Sequence, residues 1–146
     1  MKRDREPIAQ GVAVHYQPQR HLLKDRIILV TGASDGIGRE AALTYARYSA
    51  SVILLGRNDD KLRTVALEIE REGGIPPRWF TLDLLTCTPQ ACQQLAQQIS
   101  MHYPRLDGVL HNAGLLGDIC PMEEQKPEVW QQVMQVNVNG TFMLTQ

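Results

Sequence analysis

The chain is poor in cysteine, in paired histidines and in charge of one sign, and each shortage removes a class of protein. Its three cysteines, Cys87, Cys92 and Cys120, are odd in number and show no Cys-x-x-Cys spacing. A disulfide framework is therefore excluded, and reduced thiols in a cytoplasmic protein are expected. His15, His21, His102 and His111 lack ligand spacing, so no metal site is expected. A net charge of −1 offers no basic field for nucleic acid or an anionic membrane. No apolar run reaches membrane-spanning length. Met1-Lys2-Arg3-Asp4-Arg5-Glu6-Pro7 is not followed by the apolar stretch of a secretory signal. Internal repeats and low-complexity segments are absent as well.

What remains is 146 residues, 43% hydrophobic and 21% charged, enough for one globular domain with a core. Residues 1–24 are polar, contain proline and have no clear period, and read as a weakly structured leader. From there strands and helices alternate. Strands are expected at Arg26–Thr31, Ser51–Gly56, Arg78–Leu82 and Leu106–His111. Helices are expected at Gly36–Ser49, at Asp59–Glu72, where Leu62, Val65, Ala66 and Ile69 recur at helical spacing, and from Pro89 to about His102. A last helix starts near Pro127 and runs to the end. Near-continuous apolar strands joined by helices predict a parallel sheet covered on both faces through right-handed crossovers. The last helix carries no stop signal, and the fourth strand would leave an apolar edge open. The chain therefore reads as the front part of a larger domain, residues 25–146.

The most telling stretch is Thr31-Gly32-Ala33-Ser34-Asp35-Gly36-Ile37-Gly38. It joins a buried strand to a helix N-terminus. Unpaired N–H groups and the helix dipole favour an anion there, and glycines let the backbone come close to a pyrophosphate. No Gly-Lys-Ser/Thr follows, so it is not a P-loop. Ser34 and Asp35 either orient the phosphates or stabilise the turn. Arg57 stands just past the second strand, where an acidic residue would hold a ribose 2′-hydroxyl. Arginine pairs with a 2′-phosphate instead, which favours NADP(H) over NAD(H), although Asp59 and Asp60 lie close enough to neutralise it. Asp83, followed by Leu84, sits where an adenine would lie over the sheet edge, or serves as a turn cap. Asn112-Ala113-Gly114 ends the fourth strand at the topological switch, where ligands of open α/β sheets bind. His111 reads as a local packing or hydrogen-bonding residue.

Taken together these residues resemble the short-chain dehydrogenase/reductase family. Thr31-Gly32-x-x-x-Gly36-x-Gly38 is similar to its cofactor motif, Asp83 to its adenine-contact aspartate and Asn112-Ala113-Gly114 to its fourth-strand motif. Asn137, in Val136-Asn137-Val138-Asn139-Gly140, matches the asparagine of its catalytic tetrad. The resemblance runs from about Asp25 to Gln146. Leu106–Asp118 looks closer still in wording to one enterobacterial subgroup. The beginning of that subgroup resembles His15-Tyr16-Gln17-Pro18, so the resemblance implies that Met1–Val14 is an added or misassigned leader.

The resemblance implies a Rossmann-type, doubly wound α/β fold with strand order 3-2-1-4. It implies hydride transfer between a nicotinamide and a small alcohol or carbonyl substrate, in a homo-oligomer at full length. Gly32, Ser34, Asp35, Gly36, Ile37 and Gly38 would serve the pyrophosphate, Arg57 the 2′-phosphate, Asp83 and Leu84 the adenine, and Asn112, Ala113 and Gly114 the ribose side. The family's acid/base tyrosine is followed four residues on by a lysine. Here Tyr16, Tyr45, Tyr48 and Tyr103 are followed at that spacing by Arg20, Ser49, Val52 and Asp107. Only Asn137 of the tetrad is present, so the chain is expected to bind cofactor without catalysing hydride transfer; the alternatives are a non-catalytic dinucleotide-binding module that acts through a partner, or a truncated gene product. A methyltransferase-like reading is disfavoured, since that class places an acidic residue where Arg57 stands.

Overall fold

The computed structural model describes residues 17–146; the expectations for residues 1–16, His15 and Tyr16 among them, fall outside the described residues. Four parallel strands form one sheet, β1 (Ile27–Thr31), β2 (Ser51–Gly56), β3 (Arg78–Thr81) and β4 (Gly108–Leu110), in the order β3-β2-β1-β4. This is the doubly wound arrangement expected from the alternating pattern. Three helices link the strands: α1 (Gly36–Arg47), α2 (Asp59–Arg71) and α3 (Pro89–Ser100).

Alternation along the strands sorts the core into two layers. Val30, Val52 and Leu54 point to one face and pack with Ala42, Leu43 and Ala46 of α1 and Leu62, Val65, Ala66 and Ile69 of α2. Leu29, Ile53 and Leu55 point to the other and meet Leu95 and Ile99 of α3. Every residue of β2 except Ser51 is buried, as a strand covered on both faces must be. Each linking helix starts on a side chain that accepts an orphan N–H: Asp35 from Gly36, Asn58 from Lys61 and Thr88 from Ala91.

Several elements end earlier than periodicity alone suggests. α1 stops at Arg47 because Ser49 takes a left-handed conformation, φ 74°. The Ser49 hydroxyl pairs with His21 Nδ1 at 2.7 Å, and the Leu23 N–H donates to the Tyr48 carbonyl at 2.9 Å. Residues 20–25 thus form a turn against the end of α1, with Leu23 packed on the core. β4 spans three residues instead of six. It pairs with β1 alone, and beyond Leu110 the Asn112 N–H turns back to the Leu110 carbonyl.

The final helical segment is not uniform. α4 (Pro127–Met134) passes into a wider π-type turn, Gln135–Gly140, and then into the short α5 (Thr141–Thr145). The wide turn brings the backbone onto the segment after β3. A Cβ on Gly140 would lie 3.0 Å from Leu84 Cβ, and Gln135 Nε2 donates to the Leu84 carbonyl at 3.2 Å.

Asp107 fastens the other end of β4. Its carboxylate accepts the Ile27 N–H at 2.9 Å, Arg105 Nε at 3.0 Å and an Arg26 guanidinium N–H at 3.2 Å. The Ile27 N–H first, then Arg105 and Arg26, hold its carboxyl below the ordinary carboxylate range. A depressed pKa contributes stability above the unfolded-state value and loses it as pH falls through the folded one. Asp107→Asn should therefore lower stability at neutral pH and flatten the loss of stability below about pH 4. Urea midpoints measured across pH 2–7 on both proteins test this; identical acid limbs would show that Asp107 carries none of it.

Candidate functional site

β1 and β4 part at their carboxyl ends, and Thr31 organises the gap. Thr31 is buried, and its hydroxyl uses its full capacity. It donates to the Leu110 carbonyl at 3.3 Å and accepts the N–H groups of Asn112 and Ala113, both at 3.0 Å. Asn112 Nδ2 in turn donates to the Thr31 carbonyl at 3.2 Å. The glycine turn folds over this cluster. Gly32 has φ +65°, a conformation unfavourable for a side chain. A Cβ on Gly38 would lie 2.3 Å from the Gly32 carbonyl oxygen and 2.4 Å from Asn112 Nδ2. The start of α1 and the end of β4 therefore touch through backbone and one amide.

The crevice above is a cleft of about 860 Å³, at the large end of the usual range for small-molecule sites. Gly32, Ser34, Asp35, Arg57, Asp83, Leu84, Asn112, Ala113 and Gly114 all line it. Gly36, Ile37 and Gly38 stand beside it in the first turn of α1, with Ile37 exposed at the rim. Ser34 Oγ approaches the end of β2, 3.5 Å from where a Gly56 Cβ would be.

The charges at the β2 end are not paired as their spacing suggests. Asp59 accepts the Trp79 ring N–H at 3.0 Å, and among the described residues Arg57 forms no ion pair. Asp35 is the engaged acid. One oxygen accepts the Gly36 N–H at 2.9 Å, and the other meets Lys61 Nζ at 2.8 Å. Lys61 first, then the Gly36 N–H, hold the Asp35 carboxyl below its ordinary value.

On the β3 side, Asp83 accepts the Leu85 N–H at 3.0 Å and so closes its own turn. The Leu84 side chain is buried with Cys87 and Cys92, and burial next to Cys92 pushes the Cys87 thiol up. Asn137 lies in the π-type turn, away from the cleft lining. It reads the backbone of Leu115 in both directions: Oδ1 accepts the Leu115 N–H at 2.8 Å, and Nδ2 donates to the Leu115 carbonyl at 2.9 Å. His111 pairs with the Thr145 hydroxyl at 3.2 Å.

The profile of the family described as short chain dehydrogenase matches residues 26–146. The chain belongs to that family. It is 75% identical over 133 residues to the uncharacterised oxidoreductase YciK of Escherichia coli K12, covering 91% of this chain and 53% of YciK. A crystal structure of an E. coli CFT073 protein complexed with NADPH superposes with a TM-score of 0.87 at 75% identity, covering 88% of this chain and 54% of that one. One from Shigella flexneri 2a complexed with NADP gives a TM-score of 0.86 at 74% identity, covering 88% and 54%. The chain thus spans about half the length of these relatives.

At Gly32 and Gly38 the crowding is against Asn112, Ala113 and the turn's own backbone, so the turn packs down on the end of β4, whereas a Cβ on Gly36 would meet nothing within 4 Å. Among the described residues no three His, Cys, Asp or Glu side chains gather as metal ligands would. No described helix is long and apolar enough to cross a membrane. Among the lining residues given no site role from the sequence are Thr31, Asn58, Lys61, Leu115 and Gln132. Thr31 stood in the glycine motif without a role of its own, and Lys61 left a trace as a cation four places after Arg57 in the first turn of a helix.

Two substitutions test how this end of the sheet is built. Thr31→Val keeps the shape but strands the Ala113 N–H and leaves the Asn112 N–H with the Leu110 carbonyl alone, and should cost about 1–3 kcal/mol. Gly38→Ala forces the turn apart, and should cost about 1–3 kcal/mol as overpacking does. Chemical denaturation of each variant measures both; unchanged stability in Gly38→Ala would refute the close approach.

Proposed function

We propose that this chain is the cofactor-holding portion of a short-chain dehydrogenase that uses NADP(H) to interconvert a small alcohol and its carbonyl compound. Arg57, at the β2 edge of the cleft and in no ion pair among the described residues, carries this reading. An arginine at that place presents a guanidinium fork to a 2′-phosphate, where an acidic residue would hold a free ribose hydroxyl. The NADPH and NADP complexes of proteins about three-quarters identical to this chain support it.

In this assignment Gly32, Ser34, Asp35, Gly36, Ile37 and Gly38 form the pyrophosphate turn. Asp83 and Leu84 border the adenine, and Asn112, Ala113 and Gly114 border the ribose on the nicotinamide side. When bound, the nicotinamide supplies or accepts the hydride. The chain's own part is to bind and orient it. Asn137 acts here by position, since its amide holds the Leu115 backbone beside Gly114. A proton donor matched to the substrate oxygen is also required, and no Tyr-x-x-x-Lys occurs in these 146 residues. We propose in addition that the protein works in the cytoplasm, and that full-length assembly is homo-oligomeric.

Titration of the purified chain with NADPH and NADH tests the cofactor assignment. NADPH should bind more tightly, and Arg57→Ala should weaken NADPH about 10- to 100-fold while leaving NADH nearly unchanged. Equal affinity for the two cofactors would overturn it. The same protein should show no NADPH oxidation across a panel of aldehydes and ketones; measurable turnover would sink the claim that the proton donor is missing.

A further inference from the structure

Lys61 stands in the first turn of α2 and lines the same cleft as Arg57 and Asn58. Its Nζ is 2.8 Å from Asp35 Oδ2, which ties the start of α2 to the start of α1 across the cleft mouth. Both side chains are more than half exposed, Lys61 at 56% and Asp35 at 75%. An ion pair so wet contributes little to folding, and its geometry is easily rearranged. An ammonium has three donors, and this contact occupies one.

The charged side chains lining the cleft are Asp35, Arg57, Lys61 and Asp83. Take Lys61 away, and Arg57 is left as the sole cation facing two carboxylates, a poor setting for a phosphate dianion. With Lys61 in place, the negative charge that Asp35 brings to the glycine turn is balanced, and the ammonium keeps further N–H donors at a residue that lines the cleft. We infer that Lys61 is a second specificity-determining residue for the 2′-phosphate, its ammonium paired with Asp35 through one donor and contacting the phosphate through the others when NADP(H) binds. The inference rests on the cofactor assignment above and extends it to a residue on a different element.

The test is a double-mutant cycle on the purified chain, read as dissociation constants for NADPH and for NADH. Asn caps a helix as well as Asp, so Asp35→Asn removes the charge while keeping α1 intact. Lys61→Gln removes the ammonium from an exposed position, and matched unfolding midpoints confirm that both variants fold. Lys61→Gln should weaken NADPH about tenfold and NADH less than twofold, in the wild-type and the Asp35→Asn backgrounds alike. Equal weakening of both cofactors overturns the inference. So does an effect that vanishes once Asp35 is neutral, since Lys61 would then only shield that carboxylate. Failure of the wild-type chain to prefer NADPH strikes the cofactor assignment itself, and is seen before any variant is made.

Discussion

Three backbone segments meet around one hydroxyl, and the rest of the cleft depends on that meeting. Thr31 ends the central strand, and its side chain ties the turn after β4 to β1 through three hydrogen bonds. A buried hydroxyl with all its capacity used is specific in a way that apolar contact is not, because each unmade bond costs the desolvation of its partner. Gly32 and Gly38 can then close over Asn112 with no side chain between them. The result is a floor of backbone at the mouth of the sheet, open to a ligand that approaches from the strand ends.

The electrostatics of the cleft follow from which acids are already engaged. Asp59 accepts the Trp79 ring N–H and Asp83 the Leu85 N–H, and among the described residues neither forms an ion pair with Arg57. Asp35 divides its oxygens between the helix it caps and Lys61. Lys61 of the neighbouring helix thus offsets the charge of Asp35 between the starts of α1 and α2.

The opposite wall is built by the last helical segment. A uniform α-helix from Pro127 onward would run past the segment after β3. The wide turn at Gln135–Gly140 instead lets Gly140 sit on Leu84 and turns Asn137 toward Leu115. Insertions of this kind recur at functional sites because they re-aim a few side chains without ending the helix.

Strands, helices and their order were legible in the sequence because each is written in local periodicity and capping. β2 and the starts of all three linking helices fall at the expected residues, and the glycine turn, Arg57, Asp83 and Asn112–Gly114 gather at one crevice, as their places after successive strands imply. Element ends were less legible. The early stop of α1 depends on Ser49 meeting His21, and the short β4 on an edge with one partner. The π-type turn left no periodic mark at all. By itself the sequence determined the parallel sheet, its two apolar layers and the crevice at the strand ends, since alternation and helical spacing leave one economical packing. Only the tertiary structure decided that Lys61 takes Asp35, 26 residues away, and that Asn137 takes Leu115, 22 residues away. Such pairings are settled by which elements the folded sheet brings side by side, and no local pattern encodes that distance.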